Sequence, residues 1–248
     1  MIDHKVFKKV DLHIHTSMSR CYSGQASEDR GIVDWALKKN LDMIAITNHN
    51  TTIGIDRVVE IGWEVGLTIL PGMELSTDCG HFLALFERDM RYDQVLTKLE
   101  EKLGIQSDEI RGNGTYMVNG TLENLFELII EKDGIIIAAH IERWPTGFLE
   151  TNETLRRKME IHSSDYISAL EITQPVNKGQ WTEGKMKYFP KKYPCVQGSD
   201  AHCLEDIGRR YTWIMMEKVS LEGLKEAFRN YEERIIFPEE ISCEGDIG

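Results

Sequence analysis

The chain alternates short apolar runs with amphipathic stretches along most of its length. In residues 10–15 the apolar positions are Val10, Leu12 and Ile14, and the polar positions between them are Asp11, His13 and His15. A period of two sends these sets to opposite faces of an extended strand. Next come an amphipathic helix that Ser27 could cap and an apolar run at 41–47. Residues 10–47 therefore predict a strand, a helix and a second strand.

The same alternation continues to the end of the chain. It predicts further helices at about 54–65, 92–103, 121–132, 151–160 and 220–229, and strands at 67–70, 82–86, 135–139, 166–172, 194–198 and 211–216. Short β-branched strands that alternate with helices favour a mostly parallel α/β sheet, open or closed into a barrel. Residues 104–120 predict an inserted loop, and without repeats or linkers we expect one domain over 1–248.

Length and composition are typical of a globular protein that can bury a core. The 248 residues, 41% of them hydrophobic, suit one barrel-sized domain. No apolar run reaches the roughly 18 residues that a membrane span needs, and the N-terminal residues lack a signal-peptide pattern. The five cysteines are scattered and odd in number, which favours reduced thiols. We therefore expect a cytoplasmic protein with no membrane partner.

The charge is strongly negative, with 29 Lys and Arg against 41 Asp and Glu and a net charge of −12. Such a field repels nucleic acid unless a basic groove exists, and the sequence contains no basic cluster. We therefore expect a small partner and not a long nucleic acid. The oligomeric state stays open.

Polar side chains with metal-binding chemistry fall at the ends of the predicted strands. They are His13, His15, Asn48, His49, Glu74, His140, Asp200 and His202. His81 is the exception, since it begins its strand. The carboxyl ends of strands form the active-site face of parallel barrels and open sheets.

Each of these residues alone has an ordinary structural explanation. A single histidine at a strand end is commonly just hydrogen-bonded, and Glu74 or Asp200 could cap a turn or helix. Six histidines and two acids at one end of the sheet, however, would bury unpaired or mutually repelling groups unless cations lay between them. A divalent ion such as zinc takes about four ligands, so this set of eight could bind two ions, or three if one carboxylate bridges two of them. Paired ions suit hydrolysis of phosphate esters.

The motifs, taken in order, resemble the polymerase and histidinol phosphatase (PHP) family of metal-dependent phosphoesterases. They are DLHIHT at 11–16, IAITNHN at 44–50, LPGMELS at 70–76, GHFLALF at 80–86, AHIER at 139–143 and GSDAH at 198–202. The resemblance implies a distorted seven-stranded (β/α) barrel, similar to a TIM barrel, with a trinuclear metal site at the strand C-termini.

The resemblance also implies how the ligands are shared. The first ion would be held by His13, His15, a bridging Glu74 and Asp200, the second by Glu74, His81 and His140, and the third by His49 and His202. Zinc, manganese and iron all remain open as the metal. An imidazole ligand needs a partner that orients it, and Asp11 is a candidate for the His13 and His15 pair.

Two departures from the family pattern concern the third ion. Asn48 stands where the family commonly has aspartate, so it can orient a water or ligand but cannot act as a base. Arg20 and Cys21 stand where the family usually has aspartate or histidine. Cys21 could be a thiolate ligand of the third ion or a small buried residue in a turn.

Two arginines are candidates for binding phosphate oxygens. The resemblance favours Arg143, whose guanidinium could form a fork with a phosphate, and Arg20 is a second candidate; either could instead be a solvated charge.

From the metal ligands and these arginines together, we expect hydrolysis of a small phosphate monoester or short diester by a metal-activated hydroxide. Metal-dependent amide or C–N hydrolysis, and a metal-binding accessory module without turnover, are the alternatives.

Overall fold

The structure is a computed structural model that describes residues 6–25, 28–89, 92–105 and 107–242. Ser27, the predicted helix cap, lies outside these ranges, as do the two ends of the predicted 1–248 domain. The strands are β1 (Phe7–Ile14), β2 (Met43–Ile46), β3 (Thr68–Thr77), β4 (Gly80–Leu85), β5 (Ile135–Ala138), β6 (Ile167–Glu171), β7 (Cys195–Val196), β8 (Thr212–Met215) and β9 (Ile235–Ile236).

Helices follow most strands, as the alternation predicts. They are α1 (Asp29–Lys38), α2 (Ile55–Val65), α3 (Tyr92–Lys102), α4 (Leu122–Ile130), α5 (Leu155–Ser163), α6 (Lys178–Thr182), α7 (Leu221–Arg229), α8 (Tyr231–Arg234) and α9 (Pro238–Ser242). Side-chain caps fix three of their starts, because Thr121, Thr154 and Ser220 each accept a hydrogen bond from a first-turn amide.

The strands form one sheet in the order β7-β6-β5-β4-β3-β2-β1-β8-β9. Neighbours are parallel across β1, β2 and β3 and across β5, β6 and β7, whereas β4 is antiparallel to both β3 and β5. The start of β1 pairs with β8 in antiparallel fashion, and its last residue, Ile14, forms a parallel bridge to Ala201 beyond β7. This bridge nearly closes the sheet into a barrel.

The architecture is therefore mixed α/β and barrel-like, but the sheet has nine strands and not the seven that the resemblance implies. The difference lies at β1. Residues Phe7 to Val10 pair with β8, and β8 in turn pairs with β9. These two strands extend the sheet beside the bridge between Ile14 and Ala201.

Strands β2 and β5 are buried along their whole length, which is typical of parallel strands that are covered on both faces. The apolar side of α2, which includes Ile55, Val58 and Val59, is also buried. The space between these strands and α2 is therefore apolar. Within the described ranges, no helix has the length and apolar character to cross a membrane.

Candidate metal centre

All eight predicted metal-ligating histidines and acids meet at one rim of the barrel. His13 and His15 come from the end of β1, Glu74 comes from β3, and His140 follows β5. His49 forms a parallel bridge with Glu74, and Asp200 and His202 flank Ala201, which bridges to Ile14. His81 reaches the same rim although it begins its strand, because antiparallel β4 places it opposite Ser76, near the end of β3.

Glu74 lies at the centre of the cluster. Its Oε1 is 2.8 Å from His81 Nδ1 and 2.9 Å from His140 Nε2. Its Oε2 faces three further imidazoles, at 3.2 Å from His13 Nε2, 3.2 Å from His15 Nε2 and 3.0 Å from His49 Nδ1. One carboxylate thus connects five imidazoles, which is the position of a ligand that bridges ions.

At this rim, three sets of ligand atoms are close enough to hold ions, with all atoms of a set within 4.8 Å of one another. The sets are His13, His15, Glu74 and Asp200; His49, Glu74 and His81; and His15, His49 and His202. The first equals the set that the family resemblance implies for the first ion. In the second set His49 takes the place expected for His140, although His140 shares Glu74 Oε1 with His81, and the third set adds His15.

The chemistry of these groups fits divalent cations. Glu74 Oε2 and His49 Nδ1 are buried and lie 3.0 Å apart, but neither atom makes a hydrogen bond in the described structure. His13 Nε2 and His15 Nε2 lie 3.3 Å apart and face the same carboxylates. Buried lone pairs that converge in this way are costly unless a positive charge satisfies them.

The pKa values show the same demand for positive charge. Burial opposes protonation of His13, but the charges of Glu171, Asp200 and Glu74 raise its pKa above the ordinary value. Burial lowers the pKa of His49 to about 3, so this imidazole is neutral and has a lone pair to offer. In the protein alone, protons on imidazoles have to balance the carboxylates, and bound cations would take over that role.

Other side chains hold the ligands in place. Glu171, at the end of β6, accepts a hydrogen bond from His13 Nδ1 at 2.8 Å, and Ser19 Oγ lies 2.9 Å from His15 Nδ1. His202 Nδ1 donates to the carbonyl of Asp200 at 2.8 Å. These contacts leave the Nε2 atoms of the three imidazoles for metal. Neither Glu171 nor Ser19 was identified from the sequence.

The structure gives Asp11 a different role from the predicted one. Its carboxylate accepts hydrogen bonds from the backbone amides of Ser199 and Gly208, each at 2.9 Å, and of His13 at 3.4 Å. Asp11 thus anchors the segment that carries Asp200 and does not orient an imidazole. Asn48 accepts hydrogen bonds through Oδ1 from the amide of Thr16 at 2.8 Å and from Ser19 Oγ at 3.2 Å, so it fixes the loop after β1.

The remaining predicted site residues lie at different places. Cys21 is exposed and belongs to none of the three ligand sets, and partial desolvation beside Glu74 raises the pKa of its thiol to about 11. Arg20 donates to the carbonyl of Asp108 in the insertion. Arg143 pairs with Asp200, and its half-exposed guanidinium therefore lies beside the cluster.

The described residues of the insertion predicted at 104–120 contain turns and lie against His49. The amide of Gly112 donates to the carbonyl of His49 at 2.8 Å, and Asn50 Nδ2 donates to the carbonyls of Asn113 and Tyr116. A Cβ on Gly114 would lie 2.7 Å from His49 Nε2. The insertion therefore forms a wall against the His49 ring.

The sequence matches known proteins in part. A family described as PHP-associated matches residues 191–232. An uncharacterized protein from Methanocaldococcus jannaschii is 29% identical over 109 residues, which are 39% of this chain and 64% of that protein. A phosphoribosyl 1,2-cyclic phosphate 1,2-diphosphodiesterase from Eggerthella lenta is 32% identical over 66 residues, which are 27% of this chain and 24% of that protein. Each match thus spans less than two thirds of the relative.

Solved structures share the fold over 92% of this chain. Lesion-specific endonuclease Q from Pyrococcus furiosus has a TM-score of 0.69 at 19% identity, over 57% of its own length. A two-domain protein from Bacteroides vulgatus that contains a predicted PHP-like metal-dependent phosphoesterase has a TM-score of 0.64 at 18% identity, over 64% of its length.

From the net charge we expected that a long nucleic acid is not a partner, and this expectation is wrong. Endonuclease Q in complex with a 27-mer duplex that carries an abasic lesion has a TM-score of 0.68 to this chain at 18% identity, over 58% of its length. A protein with this fold therefore does bind duplex DNA.

Proposed function

We propose that the chain belongs to the PHP family, because residues 191–232 match a PHP-associated family and the fold is shared with a PHP-like protein, and that it is a metal-dependent phosphoesterase. The observation that carries the proposal is the position of Glu74, whose two oxygens contact different imidazoles within one buried cluster. A bridging carboxylate between imidazoles is the arrangement that holds neighbouring divalent ions. Bound ions would neutralise charge on phosphoryl oxygens and lower the pKa of an attacking water.

The protein side chains have defined tasks in this reaction. His13, His15 and Asp200 would hold one ion together with Glu74, and Glu171 keeps His13 in the orientation that presents Nε2. Arg143 contacts Asp200 through one nitrogen, and its half-exposed guanidinium has further N–H groups for a phosphate. Gly112 and Gly114 lie against His49 on the other side of the cluster.

The substrate class in this proposal is an anionic phosphate ester. Small monoesters, short diesters and oligonucleotides all present the phosphoryl oxygens that the ions and Arg143 would bind. Support comes from the similarity to a phosphodiesterase and to a PHP-like phosphoesterase, each over part of its length. A panel that contains all three ester types therefore has to be part of the test.

The first prediction concerns turnover. Purified protein with added Mn, Zn or Fe should hydrolyse an aryl phosphate. Loss of a residue that only orients a metal ligand reduces activity by about 10- to 100-fold. Because His13 and Asp200 would bind the metal themselves, His13→Ala or Asp200→Ala should reduce the rate by more than this. Asp206→Asn is the matched control, because Asp206 lies in the same loop but pairs with Arg209.

Inorganic phosphate should inhibit this reaction competitively. Hydrolysis of amides that phosphate does not inhibit would instead indicate a C–N hydrolase. If the protein binds metal but turns over no member of the ester panel, the proposed function is wrong and an accessory role takes its place.

A further inference from the structure

The loop from His140 to Gly147 is attached to the metal centre at both ends. At its start, His140 Nε2 is 2.9 Å from Glu74 Oε1. Near its end, the carbonyl of Thr146 accepts a hydrogen bond from the amide of His81 at 2.9 Å. The loop is tight, because the amide of Arg143 donates to the carbonyl of His140 and that of Gly147 to the carbonyl of Arg143. Its tip therefore has a fixed position relative to the ligands.

Trp144 lies at this tip with 76% of its surface exposed. The preceding residue, Arg143, contacts the metal-ligating residue Asp200. Tryptophan is usually largely buried, as Trp181 and Trp213 are in this chain. An aromatic ring this exposed, one residue along the chain from the arginine that contacts Asp200, is available to a ligand.

The neighbouring loop is fixed to the same segment. Glu142 Oε2 accepts hydrogen bonds from the amides of Thr173 at 3.0 Å and Gln174 at 2.9 Å, and its Oε1 accepts one from Asn177 Nδ2 at 2.7 Å. Glu142 thus ties the loop after β6 to the loop that carries Trp144. The indole is therefore presented from a braced part of the rim, which lowers the entropy cost of binding a ligand against it.

We propose that Trp144 stacks on an unpaired nucleobase whose neighbouring phosphate is bound by the metal centre and Arg143. This inference rests on the proposed function and makes it more specific, because it names nucleotides or unpaired nucleic acid as the substrate class. Adjacent residues of the chain would bind the adjacent parts of a nucleotide, with the guanidinium on the phosphate and the indole on the base. An aromatic side chain can stack on any of the bases, so this contact would not depend on the nucleotide sequence.

The test compares base-containing and base-free ligands. Binding of a fluorescently labelled single-stranded oligonucleotide is measured by anisotropy, beside an oligonucleotide of the same length with abasic sites at all internal positions. Trp144→Ala should weaken binding of the first ligand on the order of tenfold, and Trp144→Phe should retain most of the affinity. Neither substitution should change the binding of the abasic ligand.

Trp63→Ala is the matched control. Trp63 is 71% exposed but lies on α2, where its ring contacts the guanidinium of Arg88. It should leave the binding of both ligands unchanged. For substrates that are hydrolysed, Trp144→Ala should raise KM for base-containing esters and leave kcat unchanged, while KM for ribose 5-phosphate stays constant.

Two outcomes would overturn the inference. Either the Trp144→Ala variant binds the base-containing oligonucleotide as tightly as the unaltered protein, or the substitution lowers the affinity for the abasic oligonucleotide by the same factor. The second result would indicate a structural role of the loop. The proposed function fails separately, since it requires hydrolysis. If the protein shows Trp144-dependent binding of bases without turnover of any ester, base stacking stands and the phosphoesterase assignment falls.

Discussion

At the scale of single residues, the sequence identifies the ligands but not the groups that orient them. His13 and His15 are recognisable because they interrupt an apolar strand pattern. Glu171 has no such pattern around it, and its role depends on Gly198. A Cβ on Gly198 would lie 2.7 Å from His13 Cβ and 3.1 Å from Glu171 Oε2. Only the folded chain shows that a glycine leaves room for this pair.

A second prediction concerns Glu171. Glu171→Ala removes the acceptor for His13 Nδ1, so the ring loses its fixed orientation, and metal affinity should fall by about 10- to 100-fold. Glu171→Gln keeps an acceptor oxygen and should have the smaller effect. Calorimetric titration of metal-free protein with Mn or Zn measures both.

The control for this titration is Glu160→Gln, since Glu160 is a half-exposed acid that pairs with Arg156 on α5. Equal affinities for Glu171→Ala and the unaltered protein would mean that packing alone orients His13.

At the scale of elements, the strand order of the barrel was only partly predictable. Most strands and helices lie where the apolar periodicity places them, but β4 is antiparallel in a sheet that we expected to be mostly parallel. Parallel neighbours need a crossover of about a dozen residues, whereas only residues 78 and 79 separate β3 from β4. The absence of a predicted helix between the two apolar runs was the available indication, and it also accounts for the position of His81.

The insertion at 104–120 leads to a third prediction. Gly114→Ala should push the His49 ring out of place, because the new Cβ would lie 2.7 Å from Nε2 and 2.8 Å from Cε1. Affinity for the ion that involves His49 should fall about tenfold or more, while the ion held by His13 and Asp200 is retained. Metal content per chain, measured by elemental analysis after dialysis, tests this expectation.

Gly179→Ala serves as the control for this substitution, because the nearest atom to its added Cβ is 3.9 Å away. Unchanged metal content in Gly114→Ala would show that the insertion moves freely and does not form a wall against His49.

At the scale of the whole molecule, the class of fold was predictable and the electrostatic conclusion was not. The net charge of −12 is a sum over the entire surface. A ligand at the rim experiences the local field, to which Arg143 and any bound cations contribute. The prediction about nucleic acid was wrong because it replaced this local field by the total. The nine-stranded sheet escaped prediction because β9 has only two residues, too few to show a periodicity, and because pairing of β8 with β1 leaves no pattern within either strand.

A fourth prediction concerns the dependence of stability on pH. His162 lies in the last turn of α5, buried beside Trp181, Phe189 and Tyr193. Burial, together with the charge of Lys191, lowers its pKa to about 4. Between about pH 6.5 and 4 the unfolded chain holds this proton and the folded chain does not, so the free energy of unfolding falls as the pH falls.

His162→Phe should remove this contribution. Urea denaturation of metal-free protein at pH 7 and pH 5 should show a loss of stability about 2 kcal/mol smaller in the variant than in the unaltered protein. If the free energy of unfolding falls equally in the two proteins between pH 7 and pH 5, other buried groups and not His162 cause the pH dependence.

The bridge between Ile14 and Ala201 has a consequence for the motions of the barrel. Both bridge residues are flanked by ligands, Ile14 by His13 and His15 and Ala201 by Asp200 and His202. Two hydrogen bonds join the chain there, from His15 N to Ala201 O and from Ala201 N to His13 O. Cations bound by ligands on both sides would hold the two segments together at this bridge. Loading the protein with metal should then slow hydrogen–deuterium exchange of these two amides more than exchange in β2.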